Sequence, residues 1–107
     1  MFSKISDGQY KDMLPGIQMR VTSHGDKTLM SEFLLKSGSK LPPHSHIHEQ
    51  IGYLVSGRII LHIGDESFET LPGDSWCVKS VVTHSAEALE NSTAVEVFSP
   101  VREEYLS

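Results

Sequence analysis

A regular succession of short segments rich in β-branched and aliphatic residues constrains this chain more than any other feature. They recur at about eight- to twelve-residue spacing between Gly, Pro, Ser and Asp. The pattern predicts strands over Gly16 to Thr22, Thr28 to Lys36, Ile51 to Val55, Arg58 to Ile63, Ser67 to Leu71, Ser75 to Lys79, His84 to Leu89 and Thr93 to Phe98. The joints carry turn chemistry. Ser56-Gly57 and Gly64-Asp65 offer positive φ for tight turns and read as two hairpins in succession, while Leu71-Pro72-Gly73-Asp74 places Pro and Gly as a type II turn requires. Only Asp7 to Leu14 has a pattern compatible with a short helix, so the chain reads as all-β.

Several predicted strands are apolar on both faces, as in Ile59-Ile60-Leu61 and in Ala94-Val95 beside Val97-Phe98. A sheet with one solvated face has no need of this, whereas a small jelly-roll barrel covered outside by a second sheet or a second subunit does. The expectation is one domain spanning residues 1–107, paired as a homodimer. The charge balance is 9 basic against 14 acidic residues, a net charge of -5 with no basic cluster, which argues against nucleic acid and anionic membranes as partners. The N-terminus lacks a charged segment followed by an apolar one, and no apolar run approaches a bilayer span, so a cytoplasmic protein is expected. Cys77 is the sole cysteine and reads as a packed strand residue rather than a nucleophile.

Chemistry concentrates in Pro42-Pro43-His44-Ser45-His46-Ile47-His48-Glu49-Gln50. In an extended strand His44, His46, His48 and Gln50 share one face and Glu49 takes the other, unless a bulge breaks the parity. Neutral imidazoles converging on one side suit a divalent transition metal. Outside this run, His24 in Ser23-His24-Gly25-Asp26 reads as a turn residue, and His62 as a satisfied or partly exposed strand residue.

The run resembles the first motif of the cupins, G-x5-H-x-H-x3-4-E-x6-G, with Gly38, His44, His46 and Gly57 in register and Gln50 at the carboxylate position. The second cupin motif, G-x5-P-x-G-x2-H-x3-N, is matched by Gly73 and His84, while Lys79, Val81 and Ala88 stand where Pro, Gly and Asn are expected. The resemblance implies a small double-stranded β-helix, the jelly-roll cupin barrel, holding one divalent ion (Zn, Ni, Mn or Fe) with His44, His46, Gln50 and His84. His48 is left a supporting or packing role.

A closer resemblance covers His44-Ser45-His46, His48-Glu49-Gln50-Ile51, Gly73-Asp74-Ser75, and Phe98-Ser99-Pro100 followed by Arg102-Glu103. These runs look like the single-domain cupins of pectin and alginate breakdown that linearise 4,5-unsaturated uronates. That likeness implies a small anionic sugar acid as substrate and places catalytic roles on Glu96, Phe98 and Arg102, with Glu96 where the subfamily has Asp. Two other readings use the same pocket: a cupin dioxygenase with Fe, Ni or Cu, and a non-enzymatic metabolite-binding cupin.

Overall fold

The computed structural model describes residues 1–106, which form ten strands and a closing 3-10 turn. The strands are β1 (Lys11–Leu14), β2 (Ile17–His24), β3 (Leu29–Leu35), β4 (Lys40–His44), β5 (Glu49–Ser56), β6 (Ile59–Ile63), β7 (Glu66–Thr70), β8 (Ser75–Val78), β9 (His84–Ala88) and β10 (Ser92–Ser99), and the 3-10 turn is Glu103–Leu106. They pair into a six-stranded sheet, β1-β2-β3-β10-β5-β8, and a four-stranded sheet, β4-β9-β6-β7, antiparallel throughout. All eight predicted segments are strands. The two sheets face each other, and inward residues alternate along the strands; in β10, Ser92, Ala94, Glu96 and Phe98 are buried while Thr93, Val95 and Val97 are half-buried.

Three expectations need correction, and one further strand lies outside the eight segments read from the sequence. Lys11–Leu14, in the stretch read as a short helix, is an exposed edge strand that pairs with β2, because the sheet edge offers hydrogen-bond partners that local propensity does not reveal. Lys40–His44 is a strand despite Pro42-Pro43; it lies at a sheet edge, where missing N–H groups cost little. Ser56-Gly57 is not a hairpin. It carries the chain from β5 in one sheet to β6 in the other, and of these two turns Gly64-Asp65 is the one that joins a paired hairpin, β6 to β7. Gly57 has φ +89 and sits against Ser92, where an added Cβ would come within 2.2 Å of Oγ, so the crossing requires glycine twice over. Cys77 lies on a strand as expected, but on the exposed face rather than packed.

The Leu71–Asp74 turn forms as read, with Gly73 at φ +94 and the Asp74 N–H donating to the Leu71 carbonyl at 2.9 Å. The main apolar core gathers Ile17, Leu35, Leu54, Ile59, Leu61, Trp76, Val78, Ala86, Ala88 and Ala94 between the sheets. A second cluster of Met19, Leu29, Phe98 and Tyr105 packs where the 3-10 turn folds back onto β2, β3 and β10. Among the described residues no helix is long and apolar enough to cross a membrane.

Candidate metal centre

His44 and His84 are brought together by a local irregularity. On β4 the pairing steps from Leu41↔Ala86 to His44↔His84, so three residues of β4 span what two cover on β9, and the Pro42-Pro43 bulge delivers His44 directly across from His84. Their ring centroids are 4.1 Å apart. His46 is not on a strand: it occupies the connection between β4 and β5, and its ring lies 4.9 Å from His84 and 5.6 Å from His44. The expected strand parity of His44, His46, His48 and Gln50 is therefore broken. One ring nitrogen from each of His44, His46 and His84 falls in a group whose members all lie within 4.8 Å of one another, and His48 is outside it. His48 neighbours His46 at 5.5 Å between ring centroids.

The connection bearing His46 is latched to the one preceding His84. The Val81 N–H donates to the His46 carbonyl at 2.8 Å, and Ser80 Oγ donates to the Ile47 carbonyl at 2.7 Å. Val81, at the place where the cupin motif has glycine, has φ +60, a left-handed conformation that a β-branched residue adopts only under strain. The fold keeps the glycine-type backbone and forces valine into it.

Backbone carbonyls set the histidine tautomers. Nδ1 of His44 meets the Pro42 carbonyl at 2.9 Å, Nδ1 of His46 the His48 carbonyl at 3.0 Å, and Nδ1 of His84 the Val82 carbonyl at 2.9 Å. A carbonyl only accepts, so each Nδ1 carries the proton and each Nε2 presents a lone pair. Nε2 of His46, Nε2 of His84 and Oε1 of Gln50 are buried without a hydrogen-bond partner among the described residues. Buried acceptors without partners are costly. Three neutral imidazoles and a carboxamide oxygen are a donor set that fits a borderline divalent ion, and such an ion would satisfy these atoms. Burial disfavours the charged form of two of the rings: it lowers His46, with the Arg102 cation adding to the effect, and brings His84 down to about 4.

Beside the histidines opens a cavity of about 330 Å³, in the range of small-molecule sites. His44, Gln50, His84, Glu96, Phe98 and Arg102 all line it. Glu96 and Phe98 do share a face of β10, as alternation predicts. The carboxyl group of Glu96 is buried; Gln50 Nε2 donates to its Oε2 at 2.9 Å and Trp76 Nε1 to its Oε1 at 3.2 Å. Burial pushes Glu96 up to about 7, against the two donors and the Arg102 cation, which pull it down. The Phe98 ring lies 5.9 Å from that of His46.

Arg102 stacks over Phe98 at 5.1 Å and over Tyr105 at 4.4 Å, and its Nε donates to Glu104 at 2.6 Å. With Nε committed, a bidentate grip on a second carboxylate falls to the Nη1/Nη2 edge. Two lining residues escaped the sequence reading. Tyr105, pushed up to about 12 mainly by burial, offers only a weak sequence signal, an aromatic three residues after Arg102. Trp76 is foreshadowed by Gly52, since an isolated glycine inside a strand pattern marks a close approach. His62 stands apart from the site, partly exposed on β6, with Nδ1 bonded to Ser67 Oγ at 2.7 Å.

Comparison with known proteins agrees with this architecture. The structure of KdgF from Halomonas sp. is 30% identical, covers 97% of this chain and 98% of its own, and superposes with a TM-score of 0.92. An RmlC-like cupin from Shewanella frigidimarina, 23% identical, covers 97% of this chain and 94% of its own with a TM-score of 0.93. The fold extends to salicylate 1,2-dioxygenase from Pseudoaminobacter salicylatoxidans, at 19% identity and a TM-score of 0.75 over 83% of this chain and 26% of that one. No curated protein sequence matches the chain. The family model for the cupin domain matches residues 31–100, which include every histidine of the cluster as well as Gln50, Glu96 and Phe98. With its barrel, its histidine cluster and this match, the chain belongs to the cupin family and is similar to KdgF.

Proposed function

We propose that this cupin is a metal-dependent enzyme that converts a 4,5-unsaturated uronate to its linear keto form. One observation carries the reading: the unpartnered acceptors of His84 and Gln50 lie at the same cavity as Glu96, Phe98 and Arg102, with the His46 ring 4.9 Å from that of His84. The sequence resemblance to uronate-linearising cupins and the full-length similarity to KdgF support it. His44, His46, Gln50 and His84 would hold a divalent ion. When bound, that ion supplies Lewis acidity toward a hydroxyl or carboxylate oxygen of the sugar acid without redox change. The ligand set is neutral, so the ion's charge is left undiminished for an anionic substrate in a chain of net charge -5.

The remaining work belongs to side chains. Arg102, stacked over the Phe98 and Tyr105 rings and tied at Nε to Glu104, orients a substrate carboxylate. Phe98 supports one face of the sugar and keeps water from it. Glu96, with a proton affinity near neutrality, holds or releases a proton at a carboxyl oxygen as the ring opens. The active unit is a homodimer joined through the outer face of the six-stranded sheet, where Ile51, Tyr53 and Val55 stand about half exposed in a row along β5.

The test is the loss of conjugated-alkene ultraviolet absorbance when purified protein meets a 4,5-unsaturated uronate, with no oxygen consumed. His84→Ala is expected to lose bound metal and turnover together. Arg102→Ala is expected to keep its metal and lose about a hundredfold or more in turnover. Oxygen uptake with a catecholic substrate, or binding of uronate without turnover, would overturn the reading, and a monomeric mass in light scattering would overturn the dimer.

A further inference from the structure

Glu96 of β10, Gly52 of β5 and Trp76 of β8 form one row across three neighbouring strands, with Glu96↔Gly52 and Gly52↔Trp76 as direct Cα partners. Glu96 and Trp76 both point inward, two strand spacings apart, roughly 10 Å between backbones. They nevertheless touch, because the position between them has no side chain. A Cβ added to Gly52 would lie 2.1 Å from Trp76 Cε2 and 2.3 Å from Nε1, so any other residue would occupy the space that the indole crosses to reach the carboxylate. The far oxygen of Glu96 then receives the Gln50 N–H at 2.9 Å, and the Gln50 carbonyl oxygen is left unpartnered in the buried site.

We propose that Trp76 is a positioning residue for the metal centre, acting through Glu96 to hold the Gln50 amide with its oxygen toward the ion. An indole N–H only donates, so it fixes one carboxylate oxygen as an acceptor and stops the carboxyl group from turning. The other oxygen is thereby aimed at the Gln50 NH2, and an amide whose NH2 is committed must present its oxygen on the opposite side. Without that restraint the amide can reverse, and an NH2 facing the centre is no ligand. The glutamate at position 96, one methylene longer than the aspartate of the resembling subfamily, supplies reach for both contacts.

The inference rests on the metal-centre reading, and the experiment separates the two. Co(II) is titrated into metal-free wild type, Trp76→Phe and Gln50→Ala, recording visible spectra, affinity and unfolding of the metal-free forms. Trp76→Phe is expected to bind Co(II) about three- to tenfold more weakly, with its spectrum moved toward that of Gln50→Ala. Because Trp76 is the chain's only tryptophan, biosynthetic incorporation of β-(3-benzothienyl)alanine replaces the N–H by sulfur at this one site while keeping the bicyclic outline. This form is expected to behave like Trp76→Phe and guards against a phenylalanine variant that fails to fold. A wild-type spectrum and affinity in the benzothienyl protein would overturn the inference alone, since the effect would then be one of shape. Absence of any Co(II) binding by the wild type would overturn the metal reading itself, and the inference with it.

Discussion

One end of the barrel interior is closed by Leu54 and Ala88, with Ile17, Leu35, Ile59 and Ala94 forming an apolar wall of the cavity, whereas the other end holds His44, His46, His84, Gln50 and Glu96 with several acceptors unpartnered. The same strands build both. Along β5 the inward positions run from Leu54 through Gly52 to Gln50, along β10 from Ala94 through Glu96 to Phe98, and along β9 from Ala88 through Ala86 to His84. An offset of four positions on β5 and on β9 takes the chain from the apolar end to the polar one. Apolar packing is concentrated at one end and unsatisfied polar atoms at the other, and part of the core that stabilises the barrel also walls the cavity.

The contrast can be broken most directly at Leu54, which is fully buried at the apolar end. Leu54→Ala is expected to cost about 2–5 kcal/mol in urea unfolding while leaving the metal stoichiometry of the folded fraction intact. A loss below about 1 kcal/mol would show that the two ends do not differ in this way. The next largest effect depends on pH and sharpens the contrast from the site end. In the metal-free protein, burial keeps Glu96 protonated up to about 7, whereas the unfolded chain releases that proton near 4.5; its contribution is full below 4.5 and is lost as pH rises through about 7. His84 runs the other way. Burial takes it from 6.5 to about 4, so its contribution is full above 6.5 and is lost as pH falls through about 4, and His46 shifts in the same direction.

Between pH 4.5 and 6.5 these slopes oppose each other in the wild type. Metal-free Glu96→Gln removes one of them, so its stability is expected to rise with pH relative to wild type, by at most about 1.4 kcal/mol per pH unit for the one proton involved. Parallel stability curves for the two proteins would sink this account of the site. The smallest effect lies at the strained latch. Val81→Gly relieves a left-handed valine and is expected to stabilise the metal-free protein by about 1 kcal/mol, read as a rise of a few degrees in Tm. A fall in Tm would mean that the valine side chain contributes more than its backbone costs.

Strands were legible because their burial imposes a local alternation, and the eight segments from Gly16 to Phe98 carry it openly. Lys40–His44 and Lys11–Leu14 were not, because an edge strand is stabilised by a neighbour distant in sequence rather than by its own residues. The histidines were legible from spacing, but the reason they converge was not. A strand-parity argument puts His48 in the group, whereas a proline bulge and a non-strand connection leave it out. Trp76 and Tyr105 show the limit of local reading. Their roles come from contacts across strands or across the closing turn, and nothing next to them in sequence records the partner.

The latch between the connection that bears His46 and the one that precedes His84 has a consequence for anyone redesigning this pocket. Since Val81 and Ser80 hold the backbone of His46 and Ile47, the two connections are one unit of construction although 35 positions separate Val81 from His46. Lengthening either one to admit a bulkier compound would shift an imidazole supplied by the other. New volume is better sought where Met13 and Leu14 border the cavity from an exposed edge strand that carries none of the clustered histidines.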